Sequence, residues 1–204
     1  MNQILEFSKD PFSDTFSDTI SKDEIKKMDE LNMEIFYNSP SLTNTLCDKS
    51  LSYFIQRIDF EKITHKHFSH NFTRVLIEHL NSDDPNKKLK NKINPNKQYG
   101  DTVLWFILCH YIEYTLRDRF IMENVLFDKN KNYSEYLNPD AQTKKSGDTY
   151  LHRALLSKTT FNILMPNPHI KEFKGNEPID VLDRRVRGCP SLSNYIKEWD
   201  ARQN

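Results

Sequence analysis

The chain has 204 residues, of which 37% are hydrophobic and 12% aromatic. This content is enough to bury a sizeable core in one domain or one short repeat array. We therefore expect most of the chain to be folded and not disordered. The 29 basic and 29 acidic residues cancel, so the chain lacks the overall positive field that favours nucleic acid or anionic lipid, and we expect neither as a partner.

The cysteines and the hydropathy pattern predict a reducing compartment. Cys47, Cys109 and Cys189 lie far apart and form no Cys-x-x-Cys pair, which disfavours a disulfide framework and a cysteine zinc site. The N-terminal segment has no basic start and no long apolar run, and the longest apolar stretch, Val103 to Cys109, is too short to cross a bilayer. We therefore expect a cytoplasmic location and no membrane insertion.

The first predicted element is an amphipathic helix over residues 22–37. Ser21 and Glu24 have the spacing of a capping box, in which each side chain accepts the other's backbone N–H. Apolar residues follow at helical spacing, at Ile25, Met28, Leu31 and Ile35. We expect the apolar face of this helix to cap the core, within an N-terminal extension over residues 1–45.

Helical periodicity continues along the chain. It predicts helices over about 50–58 and 68–80, a polar connector, and then helices over about 102–112 and 117–127. Short apolar segments follow residue 150, and a last helix is marked by Leu192, Tyr195, Ile196 and Trp199. The predicted fold class is therefore all-α.

Three of the four glycines open a similar short phrase. The phrases are Gly100-Asp101-Thr102-Val103-Leu104, Gly147-Asp148-Thr149-Tyr150-Leu151-His152 and Gly175-Asn176-Glu177-Pro178-Ile179-Asp180. Glycine at such a position favours a turn with positive φ, and the polar residue after it favours the start of a helix. The phrase predicts a structural repeat with steps of 47 and 28 residues.

The second phrase, continued by Arg153-Ala154-Leu155, resembles the ankyrin repeat, whose signature is Gly-x-Thr-Pro-Leu-His-x-Ala followed by a second helix and a β-turn finger. Tyr150 stands where the family has proline, and residues 138–142 look like the finger before the repeat. The steps depart from the family period of about 33 residues. The resemblance implies a short, irregular solenoid of stacked helix-turn-helix repeats over residues 46–204, with clear repeats from about residue 93.

The same resemblance implies a protein-binding module that needs no cofactor. Ligands of such arrays usually lie along the finger tips and first helices, on the concave side. Carried over by position, the partner-binding residues are Tyr99, Phe106, Lys144, Lys145, Tyr150, Arg153, Glu172, Lys174 and Val181. The implied function is to bind another protein through this surface and to modulate or occlude it. Thr149 and His152 are expected to be structural, the threonine capping a helix and the histidine bonding neighbouring backbone.

A second hypothesis places metal binding or catalysis in the N-terminal half. His65, His67 and His70 lie within six residues, and histidine is the commonest metal ligand. No acidic or cysteine residue sits at ligand spacing, so a solvated polar link is the favoured interpretation. The sequence has no Gly-x-Ser-x-Gly, no phosphate-binding glycine loop and no His-Glu-x-x-His. We therefore expect neither an enzyme nor a metal protein.

A third hypothesis concerns the biological setting. The composition is rich in Asn, Lys, Ile, Phe and Tyr and contains only four glycines, as AT-rich genomes encode. Degenerate ankyrin-like arrays of this kind are similar to proteins that intracellular bacteria deliver into host cells or that poxviruses encode. A host-directed effector, or a regulator of another effector, is the role that this likeness implies.

Overall fold

A computed structural model describes residues 21–87, 89, 91, 93–112, 137–153, 165–185 and 190–203. These residues form seven α-helices, one two-stranded hairpin and three short 3₁₀ turns, in agreement with the predicted all-α class. The helix predicted over 117–127, the apolar segment at 161–164 and Cys189 lie outside the described residues.

Helix α1 spans Lys22–Asn38 and begins at the predicted capping box. Ser21 Oγ accepts the Glu24 N–H at 3.3 Å, and a Glu24 carboxylate oxygen accepts the Ser21 N–H at 2.8 Å. The expected burial of its apolar stripe is wrong for the first three turns, where Ile25, Met28 and Leu31 are 39%, 45% and 55% exposed. Phe36, in the last turn, is the α1 residue that the core buries completely.

Helices α2 (Asp48–Arg57), α3 (His70–Asn81) and α4 (Leu104–Tyr111) pack in sequence against one another. Ser69 caps α3 by accepting the Phe72 N–H at 3.2 Å. Their fully buried aliphatic residues include Leu51, Ile55, Leu76, Leu80, Leu104 and Leu108. Each such side chain stabilises the fold by about 1.5–3 kcal/mol, so this helix packing is the main source of stability in the N-terminal half.

A short hairpin precedes α4. Strand β1 (Gln98–Tyr99) pairs antiparallel with β2 (Thr102–Val103), and Gly100 and Asp101 form the two-residue loop between them. Gly100 has φ +65°, as hairpin loops of this length favour, and Gly147 and Gly175 also have positive φ, at +73° and +86°. The predicted turn conformation is therefore confirmed at all three glycines. Thr102 lies on β2 and does not cap a helix, because α4 begins after Val103.

The C-terminal part contains α5 (Tyr150–Arg153), α6 (Pro178–Arg185) and α7 (Pro190–Gln203). Helix α7 confirms the predicted last helix; it buries Leu192 and Tyr195, and the Tyr195 hydroxyl donates to the Pro166 carbonyl at 2.6 Å. One hydrophobic core extends from Phe36 to Tyr195. None of the described helices has the length and apolar character that a membrane span requires.

Candidate protein-binding surface

Three loops begin with Asn-Pro and fold in the same way. The side-chain oxygens of Asn94, Asn138 and Asn167 each accept the N–H of the residue two positions later, at 2.8, 3.0 and 2.9 Å. This Asx turn, with proline at its second position, sets the direction in which the chain enters each loop. The three Asn-Pro pairs are a sequence signal that the glycine phrase did not include.

The loop entrances are hydrogen-bonded to one another in a constant register. The Asn96 side-chain oxygen accepts the Asn138 N–H at 2.7 Å, and the Asp140 carboxylate accepts the Asn167 N–H at 2.7 Å. In both cases the third residue of one Asn-Pro-x turn bonds the first residue of the next turn. The loops are therefore stacked equivalently although the steps between them differ in length.

The same register continues towards the loop tips. The Gln98 side chain donates to the Gln142 carbonyl at 2.9 Å, and the Gln142 side chain donates to the Lys171 carbonyl at 3.1 Å. At the tips, the Phe173 N–H donates to the Ser146 carbonyl at 3.0 Å. Side chains and backbone together hold the three tips as one continuous surface.

The His152 side chain is hydrogen-bonded to backbone in these loops, which confirms the prediction that it bonds neighbouring backbone. Its Nδ1 accepts the Thr149 N–H at 3.1 Å, and its Nε2 lies 3.1 Å from the Asn176 carbonyl in the next loop. These bonds require Nδ1 to be the acceptor and Nε2 to carry the proton. Burial lowers the pKa of His152, so the imidazole is neutral at pH 7.

A second pair with the same geometry occurs in the N-terminal half, inside the histidine cluster. His67 Nδ1 accepts the Thr64 N–H at 3.1 Å, and Nε2 lies 3.3 Å from the Phe36 carbonyl. Both ring nitrogens of this buried histidine are used within the protein, whereas His65 and His70 are exposed. This arrangement contradicts a metal site formed by the three imidazoles together.

Three of the predicted partner-binding residues are buried. Tyr99, Phe106 and Tyr150 are only 2%, 4% and 3% exposed. The Tyr99 hydroxyl donates to the Phe60 carbonyl at 2.8 Å, while the Phe106 and Tyr150 rings, 5.2 Å apart, pack with Trp105. These aromatic side chains belong to the hydrophobic core, so their assignment to the binding surface is corrected.

Glu172 is also buried, because its carboxylate folds back into its own turn. It accepts the backbone N–H groups of Lys174 and Asn176 at 3.0 and 3.3 Å. The first of these bonds is the main reason that the pKa of Glu172 is lowered. Of the remaining predicted residues, Lys144, Lys145 and Lys174 are exposed, Val181 is half-buried, and the Arg153 side chain lies outside the described part.

Phe173 lies at the tip of the third loop, between the predicted partner-binding residues Glu172 and Lys174. It is 67% exposed, the highest value among the exposed large apolar residues described. It is the one apolar residue in an otherwise polar turn just before Gly175. Together with its neighbours it forms a surface that we name the fingertip patch, consisting of Lys144, Lys145, Lys171, Phe173 and Lys174.

An open cleft of about 470 Å³ adjoins the first hairpin. Its walls come from the end of α1, the turn that carries His65 and Lys66, and the loop residues Gln98 and Gly100. His65 lies close enough to Gly100 that a Cβ there would come within 2.8 Å of its Nδ1. The cleft extends the surface of the loops towards the N-terminal helices.

The arrangement closest to catalytic geometry is a serine–histidine pair between α2 and α3. Ser52 Oγ lies 2.6 Å from His79 Nε2, and His79 Nδ1 lies 2.8 Å from the Lys87 carbonyl. A hydrolase aligns its nucleophile and base in this way. However, His79 is 2% exposed, and neither side chain lines the described cleft. The pair therefore links two helices and the following connector.

Among the residues with described positions, no group of three or more His, Cys, Asp or Glu side chains is placed to hold a metal ion. In the stacked loops, the Asn and Asp side chains are used for hydrogen bonds to the backbone. The lysines and Phe173 of these loops face solvent. Comparison with protein-family models, with curated proteins and with solved structures finds no match to this chain.

Proposed function

We propose that the chain is a short, irregular array of ankyrin-like repeats that binds another protein through its stacked loops, and that it modulates or occludes this partner without chemistry of its own. The observation that carries the proposal is the constant register of the loops: Asn96 and Asp140 make equivalent bonds to Asn138 and Asn167. Repetition of one geometry at unequal steps supports repeated units, since each unit contacts only its neighbours.

The paired threonines and histidines support the same proposal. His152 joins one unit to the next loop, and His67 makes the same bond to its threonine in the region 46–92 that matched only as a degenerate unit. The position of Ser52 and His79 away from the cleft supports binding over catalysis.

The test is to capture partners with the tagged full chain, purify a captured protein, and measure its saturable binding and its footprint by amide hydrogen exchange. We expect slower exchange in residues 138–149 and 165–177 when the partner is bound, because these loops would then be covered. Protection confined to α1 and α2, or the absence of any saturable partner, would contradict the proposal. Amides of α3, in the core, serve as the internal control.

The proposed setting is a reducing compartment. Cys47 is exposed and is a free thiol, which supports it. Delivery into a host cell is proposed from the likeness of composition alone. A secretion reporter fused to the chain with and without its last 20 residues tests it, and equal retention of both fusions inside the producing cell would refute it.

A further inference from the structure

We infer that the fingertip patch binds an acidic protein segment that carries at least one apolar side chain. The inference rests on the proposed function and names the chemistry of the partner. It is carried by two properties of the patch: an exposed aromatic ring that rests on the backbone of the preceding loop, and lysines that face solvent around it.

Phe173 is exposed, and its ring rests against the backbone of the preceding loop. Its backbone N–H is bonded to Ser146 of the preceding loop, and its ring lies over Gly147, where an added Cβ would come within 2.4 Å of Cδ1. Gly147 thus provides the flat backbone on which the ring rests. A ring already held in place loses little conformational entropy on binding, and such aromatic side chains dominate interface energetics.

The lysines of the patch face solvent, and the electrostatic interaction of Lys174 with Glu172 is the one described for them. Lys144, Lys145, Lys171 and Lys174 are all exposed, and none forms an ion pair within the described part of the chain. By contrast, Lys97 in the first loop is paired with Glu61 at 2.5 Å. The second and third loops therefore present the positive surface.

Two acidic groups beside the patch accept backbone hydrogen bonds. Glu172 is used by the N–H groups of its own turn, and Asp101 accepts the Lys145 N–H at 2.7 Å. Negative charge stabilises the backbone of the tips while positive charge faces outward. A complementary partner must therefore supply carboxylates, together with an apolar group for Phe173.

The other exposed apolar surface lacks this charge pattern. The α1 stripe of Ile25, Met28 and Leu31 is flanked by exposed residues of both signs, including Lys26, Lys27, Asp23 and Glu30. It indicates no preferred partner chemistry. It does provide matched control substitutions for the patch, because its lysines and its leucine are similarly exposed.

The experiment is to select a displayed library of random 12-residue peptides on the full-length protein, and then to measure the affinity of enriched synthetic peptides. We expect enriched peptides rich in Asp and Glu with an aromatic or aliphatic residue. Phe173→Ala should weaken their binding about 30-fold, the loss typical of a central hot spot. Lys144→Glu with Lys145→Glu should weaken it by about 10-fold or more, with a steep salt dependence in the wild type.

The controls are Leu31→Ala and the pair Lys26→Glu with Lys27→Glu, which should leave the affinity unchanged. Enriched peptides without acidic bias, or peptides insensitive to the patch substitutions, would overturn this inference while leaving protein binding through other loop residues intact. Failure to enrich any peptide would overturn this inference, while the hydrogen-exchange footprint of a captured protein separately decides the proposed function. Patch-dependent binding of a fluorescent 20-nucleotide oligothymidine that acidic peptides do not displace would identify single-stranded nucleic acid as the occupant and also overturn it.

Discussion

Two glycines with nearly the same backbone conformation provide a matched test of how the loop tips are built. Gly147 and Gly175 have φ of +73° and +86°, so alanine at either position incurs the left-handed penalty of about 1–2 kcal/mol. The two positions differ in what the added methyl group meets. At Gly175 nothing lies within 4 Å, whereas at Gly147 the Cβ would come within 2.4 Å of Cδ1 and 2.6 Å of Cε1 of Phe173.

Gly147→Ala should therefore destabilise the protein more than Gly175→Ala does. The Phe173 ring has to rotate off its preferred position or leave the loop surface, and an off-rotamer side chain costs about 0.5–1.5 kcal/mol. Because the ring is largely exposed, it can move without disturbing the core, so the extra cost stays near that range. We expect Gly175→Ala to lower the free energy of unfolding by about 1–2 kcal/mol and Gly147→Ala by about 2–3 kcal/mol.

Urea unfolding monitored by both circular dichroism and tryptophan fluorescence measures these changes, and coincident transitions justify the two-state treatment. Repeating both substitutions in a Phe173→Ala background isolates the ring contact. In that background the two alanine variants should become equally destabilised. If they are equal already in the wild type, or if the difference persists without the ring, the contact between Phe173 and Gly147 does not exist as described.

Two further predictions concern pH and are read from urea unfolding at a series of pH values. Burial lowers the folded pKa of His152. The contribution of its neutral side chain to the free energy of unfolding is therefore present above the unfolded pKa of about 6.5 and falls as the pH decreases towards 5, by at most about 1.4 kcal/mol per pH unit. The difference in stability between wild type and His152→Gln should narrow over this range, and parallel stability curves would contradict the assignment. The hydrogen bond to Asp200, and to a lesser extent that to Glu177, raises the pKa of His169. His169→Gln should therefore be less stable than wild type at pH 6 but equally stable at pH 9. An equal loss of stability at both pH values would show that the charged bridge contributes nothing.

Local signals predicted the helices well. The helix predicted over 22–37 is Lys22–Asn38, and that predicted over 68–80 is His70–Asn81. In both cases a serine caps the first turn, and apolar residues recur at 3.6-residue spacing, so the information lies within a few residues. The positive φ at the glycines was predictable for the same reason, since it depends on the turn itself.

Exposure was harder to predict, because it depends on neighbours far away in sequence. Phe106 was placed on the binding surface from its position in the repeat phrase, but its ring packs against Tyr150, 44 residues later in the sequence. The α1 stripe was expected to be buried, yet the core is reached through Phe36. Phe173, conversely, is exposed, with one face of its ring against Gly147 and its N–H bonded to the Ser146 carbonyl of the preceding loop. Contacts between residues far apart in sequence thus decide which side chains are covered, and local sequence patterns do not reveal those contacts.

Trp105 occupies the position that a histidine holds in two similar segments. It stands three residues after Thr102, where His67 follows Thr64 and His152 follows Thr149. An indole N–H donates only, so it cannot accept the N–H of the turn as imidazole Nδ1 does, and Trp105 Nε1 has no hydrogen-bond partner among the described residues. The ring instead lies 5.1 Å from the ring of Tyr150, which follows the next glycine turn. Apolar packing between these two rings thus stands in place of the hydrogen bond that His152 makes to the Asn176 carbonyl.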